Sequence, residues 1–202
     1  MTTKAVIFDA DGMIVLHVPR FSSVLEKERG IPLERTKLFF EGPFQLCLVG
    51  KADLREELSK VIGQWGWQDT VDDLMEFWFS PALAPIDTRF EGLIRQLRAT
   101  GVKTYLATNN EKYRTKNLIE ERGLGAWFDG VFSSSHVGAK KRSAEFLEYL
   151  LKSTKHRKEE VEYWDDDPKN IEGVKAFGLS THLYTDFDSF KDFVDTLLVS
   201  EK

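Results

Sequence analysis

Residues 5–12 read Ala5-Val6-Ile7-Phe8-Asp9-Ala10-Asp11-Gly12, an unbroken apolar run that ends abruptly in two acids and a glycine. Continuous apolar residues without polar alternation describe a strand buried on both faces, as in a parallel sheet with helices on either side. Working outward, the same form recurs at Val102–Ala107, Gly130–Phe132, Val161–Trp164 and Thr181–Tyr184. Segments of helical period lie between these runs, at Phe90–Ala99, Lys112–Glu121, Ala144–Leu151, Pro168–Phe177 and Phe187–Leu198. Gly101, Gly123 and Gly178 punctuate their ends, as glycine does just past a helix C-terminus. Alternating strands and helices predict an α/β fold with a doubly wound, Rossmann-like, mostly parallel sheet.

One stretch breaks the alternation. About 70 residues, from Val15 to Pro85, separate the first strand from the next α/β unit, far more than a crossover needs. This stretch has helical segments at Ser22–Arg29, Ala52–Gln64 and Thr70–Phe79 and is rich in Trp and Phe. It reads as a helical insertion over one end of the sheet, with Pro81 and Pro85 marking its exit. The expected organisation is therefore a core of residues 1–14 and 86–202 and a helical unit of residues 15–85.

Composition narrows the function. The chain has 202 residues, 42% of them hydrophobic, enough for a real core, and a net charge of −5. Nothing in that charge calls for a nucleic-acid or acidic-membrane partner. Cys47 is the single cysteine, so neither an intrachain disulfide nor a cysteine-rich zinc site can form. No apolar stretch has the length of a signal peptide or a membrane span. The expectation is a soluble, cytoplasmic protein, monomeric or homodimeric.

Open parallel sheets bind ligands beyond the carboxyl ends of their strands. Those positions hold Asp9, Asp11 and Gly12 after the first strand, Thr108, Asn109 and Asn110 after the second, Ser133 to Lys141 after the third, and Asp165, Asp166 and Asp167 after the fourth. Carboxylates converging from two strands repel each other unless a cation intervenes. Mg²⁺ suits such a site, because it takes oxygen ligands and uses one or two carboxylates plus a substrate phosphate. Asp9 can serve as a carboxylate nucleophile and Asp11 as the acid that protonates a leaving oxygen. Thr108 and Lys141 supply a hydroxyl and a cation to a phosphoryl group in transfer.

Taken together, the segment Val6–Gly12, then Ala107-Thr108-Asn109-Asn110, Lys140-Lys141 and Tyr163–Asn170, resembles the haloacid dehalogenase-like hydrolase superfamily, phosphatase type. All four motifs of that family occur in order and span nearly the whole chain, and the insertion sits where the family carries a helical cap. The resemblance implies Asp9 as nucleophile and metal ligand, and Asp11 as general acid/base and metal ligand through its backbone carbonyl. Thr108, Asn109 and Lys141 would hold phosphate, Asp166 would bind Mg²⁺ directly and Asp165 would support it. Lys140 and Lys141 compete for the lysine position, because Arg142-Ser143-Ala144 replaces the Pro-Asp-Pro that often follows. The family's dehalogenases lack an acid at the position of Asp11.

Plainer roles exist for the same residues. Asp-Gly pairs terminate strands, Thr108 and Asn109 can cap a helix before Glu111, and Asp165 to Asp167 with Pro168 suit a helix N-terminus. Trp65, Trp67, Phe77, Trp78 and Phe79 fall at near-helical spacing, which favours core packing over sugar stacking. Glu41, Lys51, Asp53 and Arg55 are insertion residues that the sequence cannot orient, and the four histidines are too scattered for a metal motif. The expected function is Mg²⁺-dependent hydrolysis of small phosphorylated metabolites, sugar phosphates among them, through an aspartyl-phosphate. A sugar-phosphate mutase, a dehalogenase and a non-catalytic binding protein are the alternatives.

Overall fold

The computed structural model describes residues 3–16 and 20–200. Strand β1 (Ala5–Asp9) is buried along its whole length, as its unbroken apolar run requires. It lies in the middle of a five-stranded sheet with β2 (Lys103–Thr108), β3 (Gly130–Ser133), β4 (Val161–Asp165) and β5 (Ser180–Leu183), in the order β3-β2-β1-β4-β5. Every pairing is parallel. The chain builds outward from β1 through β2 to β3, then returns to the other side of β1 for β4, which makes the β1–β4 boundary the switch point where ligands bind.

Strand periodicity divides the core between two faces. Val6 and Phe8 point to one, where they meet Phe90, Ile94 and Leu97 of α7 (Arg89–Ala99) and Phe190 and Val194 of α12 (Phe187–Ser200). Ala5 and Ile7 point to the other, against Phe146, Leu147 and Leu150 of α10 (Ala144–Thr154) and Val174 of α11 (Pro168–Phe177). Gly178 ends α11 in the left-handed conformation that only glycine adopts freely.

Among the described residues the insertion folds as six short helices: α1 (Phe21–Arg29), α2 (Leu33–Glu41), α3 (Pro43–Cys47), α4 (Leu54–Ser59), α5 (Ile62–Trp65) and α6 (Val71–Phe79). They enclose a hydrophobic cluster of their own, with Leu25, Leu54, Leu58 and Leu74 at its centre and Cys47 and Trp65 almost fully buried. Aromatic contacts dominate it, including a stack of Phe21 on Trp78 with centroids 4.5 Å apart. Entry and exit strands pair with each other, since the Leu16 N–H donates to the Pro85 carbonyl and the Asp87 N–H to the Ile14 carbonyl, each at 2.9 Å.

Two helical expectations change. The segment expected as one helix over Ala52–Gln64 is broken between Ser59 and Ile62, because the β-branched pair Val61-Ile62 followed by Gly63 weakens the helix there. Helices α2 and α3 were not anticipated from the sequence, for neither has a side-chain N-cap to announce it. The segment expected as a helix over Lys112–Glu121 begins as α8 (Lys112–Lys116) and widens into a π-helical turn at Asn117–Glu121. No helix among the described residues is long and apolar enough to cross a membrane.

Polar struts tie the insertion to the sheet domain. The Asp53 carboxylate caps α4, accepting from the Arg55 and Glu56 N–H groups, and also meets Lys112 Nζ at 2.5 Å and the Tyr113 hydroxyl at 2.9 Å on α8. Ser134, opening α9 (Ser134–Val137), donates to the Leu48 carbonyl at 2.5 Å, and Lys140 Nζ donates to Gln45 Oε1 at 2.7 Å. Burial opposes ionisation of Asp53, but the Lys112 ammonium and the N–H and hydroxyl donors outweigh it and hold its pKa down to about 2.

Two predictions follow from this packing. Phe190 is fully buried against Phe8, Phe90 and Trp164, so Phe190→Ala should cost about 3–5 kcal/mol in urea unfolding. The depressed pKa of Asp53 means that its strut stabilises the fold fully above the unfolded carboxyl value and loses that contribution as pH falls toward about 2. The melting-temperature gap between wild type and Asp53→Asn should therefore hold at neutral pH and narrow below about pH 4.

Candidate active site

Sheet register places the chemistry on one edge. Asp9 sits opposite Ala107, with Thr108 the next residue of β2, while Asp165 ends β4 beside the neighbouring end of β1. The loop between α9 and α10 brings Lys141 in from the other side of β1. Its ammonium lies 2.5 Å from Asp9 Oδ1 and 2.8 Å from Asp165 Oδ2. All three side chains are buried, the lysine to within 3%. Burial alone would lower the lysine's pKa, but the Asp9 and Asp165 charges outweigh it and hold the ammonium well above its ordinary range. Burial pushes the Asp9 carboxyl well above its usual value; Lys141 pulls it back, and the charges of Asp165 and Asp166 push it up again.

The competition between the two lysines resolves in space. Lys141 reaches the carboxylates, whereas Lys140 turns to Gln45 in the insertion. The Asn109 carboxamide explains how Lys141 is aimed, because its Oδ1 accepts the Lys141 backbone N–H at 3.0 Å. Asn109 thus ties the loop after β2 to the lysine loop.

Asp166 completes an acidic cluster. One carboxylate oxygen from each of Asp9, Asp165 and Asp166 lies within 4.8 Å of the others. Asp165 uses Oδ1 to accept from the Asp167 N–H and from Asn170 Nδ2, both at 3.0 Å, which fixes the turn into α11. Its buried Oδ2 has no hydrogen bond, the approach of Lys141 being an ion pair outside hydrogen-bonding geometry. Burial raises the Asp166 pKa, with the Asp165 charge adding to it. Three crowded carboxylates sharing a single ammonium fit a hard divalent cation such as Mg²⁺. Gly12, at φ +95°, lies so close that a Cβ there would collide with the Asp166 carboxylate. Asp167 meanwhile caps α11, so the helix-start role and the acidic cluster coexist in one triplet.

Asp11 lies at the rim, half-exposed, its carboxylate accepting from Asn110 Nδ2 at 2.6 Å and from the Arg114 guanidinium at 3.2 Å. The same Asn110 nitrogen donates to Thr108 Oγ1 at 2.7 Å, which links the acid to the hydroxyl. Arg114 was missed in the sequence, where an arginine on a short helix looks like any solvated charge. Glu111 is the cap of α8, through bonds to the Tyr113 and Arg114 N–H groups, and so takes the capping role considered for Thr108 and Asn109.

Above this edge lies a cavity of about 290 Å³ between the sheet domain and the insertion. Asp11, Asn110, Glu111, Arg114 and Asp166 line it, and so do Trp78 and Phe79 of α6. Glu41, Lys51, Asp53 and Arg55 do not line it. Trp65 and Trp67 are core, as their spacing suggested. His136, His156 and His182 stand outside the acidic cluster, and His17 lies outside the described residues.

With this arrangement in view, a family model for haloacid dehalogenase-like hydrolases matches residues 3–178. The chain belongs to the haloacid dehalogenase-like hydrolase family. This hydrolase is 32% identical over 93 residues to the sesquiterpene phosphatase astK of Aspergillus oryzae, a match covering 46% of this chain and 47% of that protein. The chain thus spans about half the length of that curated relative. Among solved structures, a HAD-like hydrolase from Porphyromonas gingivalis superposes with a TM-score of 0.81 at 19% identity, over 98% of each chain. The HAD family enzyme BT-2542 of Bacteroides thetaiotaomicron, in complex with magnesium and inorganic phosphate, gives 0.78 at 18% identity over 93% of this chain and 98% of that one. At these identities the two structures establish the shared α/β fold.

The electrostatics of the site lead to two measurements. Lys141→Met leaves Asp9 and Asp165 buried without their cation, and should cost about 3–5 kcal/mol in urea unfolding. Mg²⁺ at about 100 times its Kd should stabilise the wild type by about 2.7 kcal/mol in thermal melts, and Asp166→Asn should lose most of that gain.

Proposed function

We propose that this hydrolase is a Mg²⁺-dependent phosphomonoesterase that works through an aspartyl-phosphate on Asp9. The observation that carries the reading is the cluster at the switch point, where Asp9 is flanked by Lys141, Asp165 and Asp166. Its proposed organisation is a core of residues 1–14 and 86–202, with residues 15–85 as a cap. Closing the cap over the site excludes water from the phosphoryl group and shapes the space for the leaving group.

In the first half of the reaction an Asp9 oxygen attacks phosphorus and the ester P–O bond breaks. Asp11, in its acid form, gives its proton to the departing oxygen, so the product leaves as an alcohol. Lys141 and Thr108 hold the equatorial phosphoryl oxygens, with Asn109 Nδ2 beside them. In the second half, water attacks the same phosphorus, Asp11 takes the water's proton, and the bond to Asp9 breaks to give inorganic phosphate and free carboxylate. Asp9, Asp166 and the Asp11 carbonyl, with Asp165 in support, would hold Mg²⁺, which would supply charge neutralisation between carboxylates and phosphate.

Three features support hydrolysis of phosphate esters over the alternatives. Asp11 provides the acid that carbon–halogen cleavage has no use for. The apolar face that the insertion turns to the cavity offers little to hold and reorient a sugar within the site, as a mutase must. The partial match to astK adds a phosphatase among the relatives.

Phosphate release from p-nitrophenyl phosphate tests the reading. Wild type with Mg²⁺ should turn over, EDTA should abolish turnover, and Asp9→Asn should be inactive. Asp11→Asn should lower kcat by about 10²–10⁴. Turnover retained by Asp9→Asn would remove the aspartyl-phosphate, and turnover in EDTA would remove the metal.

A further inference from the structure

We infer that the leaving group of the natural substrate is an apolar chain or ring, so that this site cleaves aliphatic or aryl monophosphates in preference to sugar phosphates. The inference rests on the phosphomonoesterase reading and names its substrate class. It comes from the distribution of polarity around the cavity. The polar lining comes from outside the insertion: Asp11, Asn110, Glu111, Arg114 and Asp166. The lining that the insertion supplies is Leu16, Phe21, Val24, Phe44, Trp78 and Leu83, together with Phe79 and Ala84. Among these only Trp78 has a polar side-chain atom, its indole N–H.

Such a division sorts substrates by what lies beyond the phosphate. A sugar presents hydroxyls along its length, and each one buried against Leu16, Phe44 or Leu83 would exchange water for a wall that cannot hydrogen-bond. That loses about five- to 150-fold in affinity per unpaired hydroxyl, about 1–3 kcal/mol. A methylene in the same place gains about fourfold, about 0.8 kcal/mol. Of the polar insertion residues that could have served a sugar, Glu41, Lys51, Asp53 and Arg55, none lines the cavity, and Asp53 and Arg55 are engaged elsewhere, Asp53 by Lys112 and Tyr113 and Arg55 by Asp72 at 2.5 Å. At about 290 Å³ the cavity sits at the small end for ligand sites, which suits one short chain or one ring.

The bonds changed are those of the hydrolysis above. The P–O ester bond breaks, the Asp11 proton goes to the departing oxygen, and the product is an apolar alcohol that the same walls hold until the cap opens.

The test uses the full chain with Mg²⁺ and a panel of ethyl, butyl and hexyl phosphate, ribose 5-phosphate, glucose 6-phosphate and p-nitrophenyl phosphate. The expected result is a kcat/KM that climbs with alkyl length, by about fourfold per methylene until the cavity is full, with hexyl phosphate at least about tenfold above either sugar phosphate. Calorimetric binding of hexylphosphonate, which cannot be hydrolysed, should show the negative heat-capacity change of apolar burial. Leu16 is 42% exposed, so Leu16→Gln should fold, as its melting curve would confirm, and should flatten the chain-length dependence. A flat dependence in the wild type, or a sugar phosphate at the head of the panel, would overturn the inference and leave the phosphomonoesterase reading standing. Release from none of the six esters would overturn both. An unaltered chain-length dependence in both Leu16→Gln and Leu83→Gln would overturn the assignment of these walls.

Discussion

The buried contact of Lys141 with Asp9 and Asp165 is the constraint around which the molecule is arranged. Removing three charges from water is costly, and a low-dielectric interior tolerates it only when the charges are paired and held in place. The sheet does the holding. Parallel pairing of β1 with β4 fixes the two strand ends side by side, and the Asn109 carboxamide fixes the backbone of Lys141. The balance is still incomplete, because Asp166 adds a further carboxylate and the buried Oδ2 of Asp165 lacks a hydrogen bond. That residual negative charge suits a divalent cation at the switch point.

The insertion is built on a different principle. Its described residues contribute no member of the acidic cluster, and its helices are held by an aromatic core of their own. Its relation to the chemistry runs through the cavity walls and through a few polar struts, chiefly Asp53 to α8, Ser134 to Leu48 and Lys140 to Gln45. Charge is thereby concentrated on the sheet side and apolar surface on the insertion side.

Much of this was legible in the sequence, for reasons that differ by residue. The strands announced themselves because burial on both faces forces unbroken apolar runs such as Val6-Ile7-Phe8, and the acids at their ends are where a parallel sheet binds ligands. Helix α11 was read with its bounds because Asp167, Pro168 and Gly178 each punctuate it chemically. Helices α2 and α3 were not read, since they lack such caps and depend on packing within the insertion. The choice between Lys140 and Lys141 required three dimensions, because adjacent residues differ only in the direction their loop presents them. Arg114 was invisible for a related reason: its partner Asp11 lies 103 residues away in the chain. The near-helical spacing of the insertion's aromatics favoured core packing over sugar stacking, and in space these rings are partly core and partly cavity lining.

The central claim is that Asp9 becomes covalently phosphorylated, and acid quenching during turnover followed by peptide mass spectrometry tests it most directly. The account predicts a phosphoryl adduct on the peptide containing Asp9, removed by hydroxylamine as an acyl phosphate must be, and absent from Asp9→Asn. Steady release of inorganic phosphate with no adduct in wild type, under conditions where Asp11→Asn also accumulates none, would contradict it.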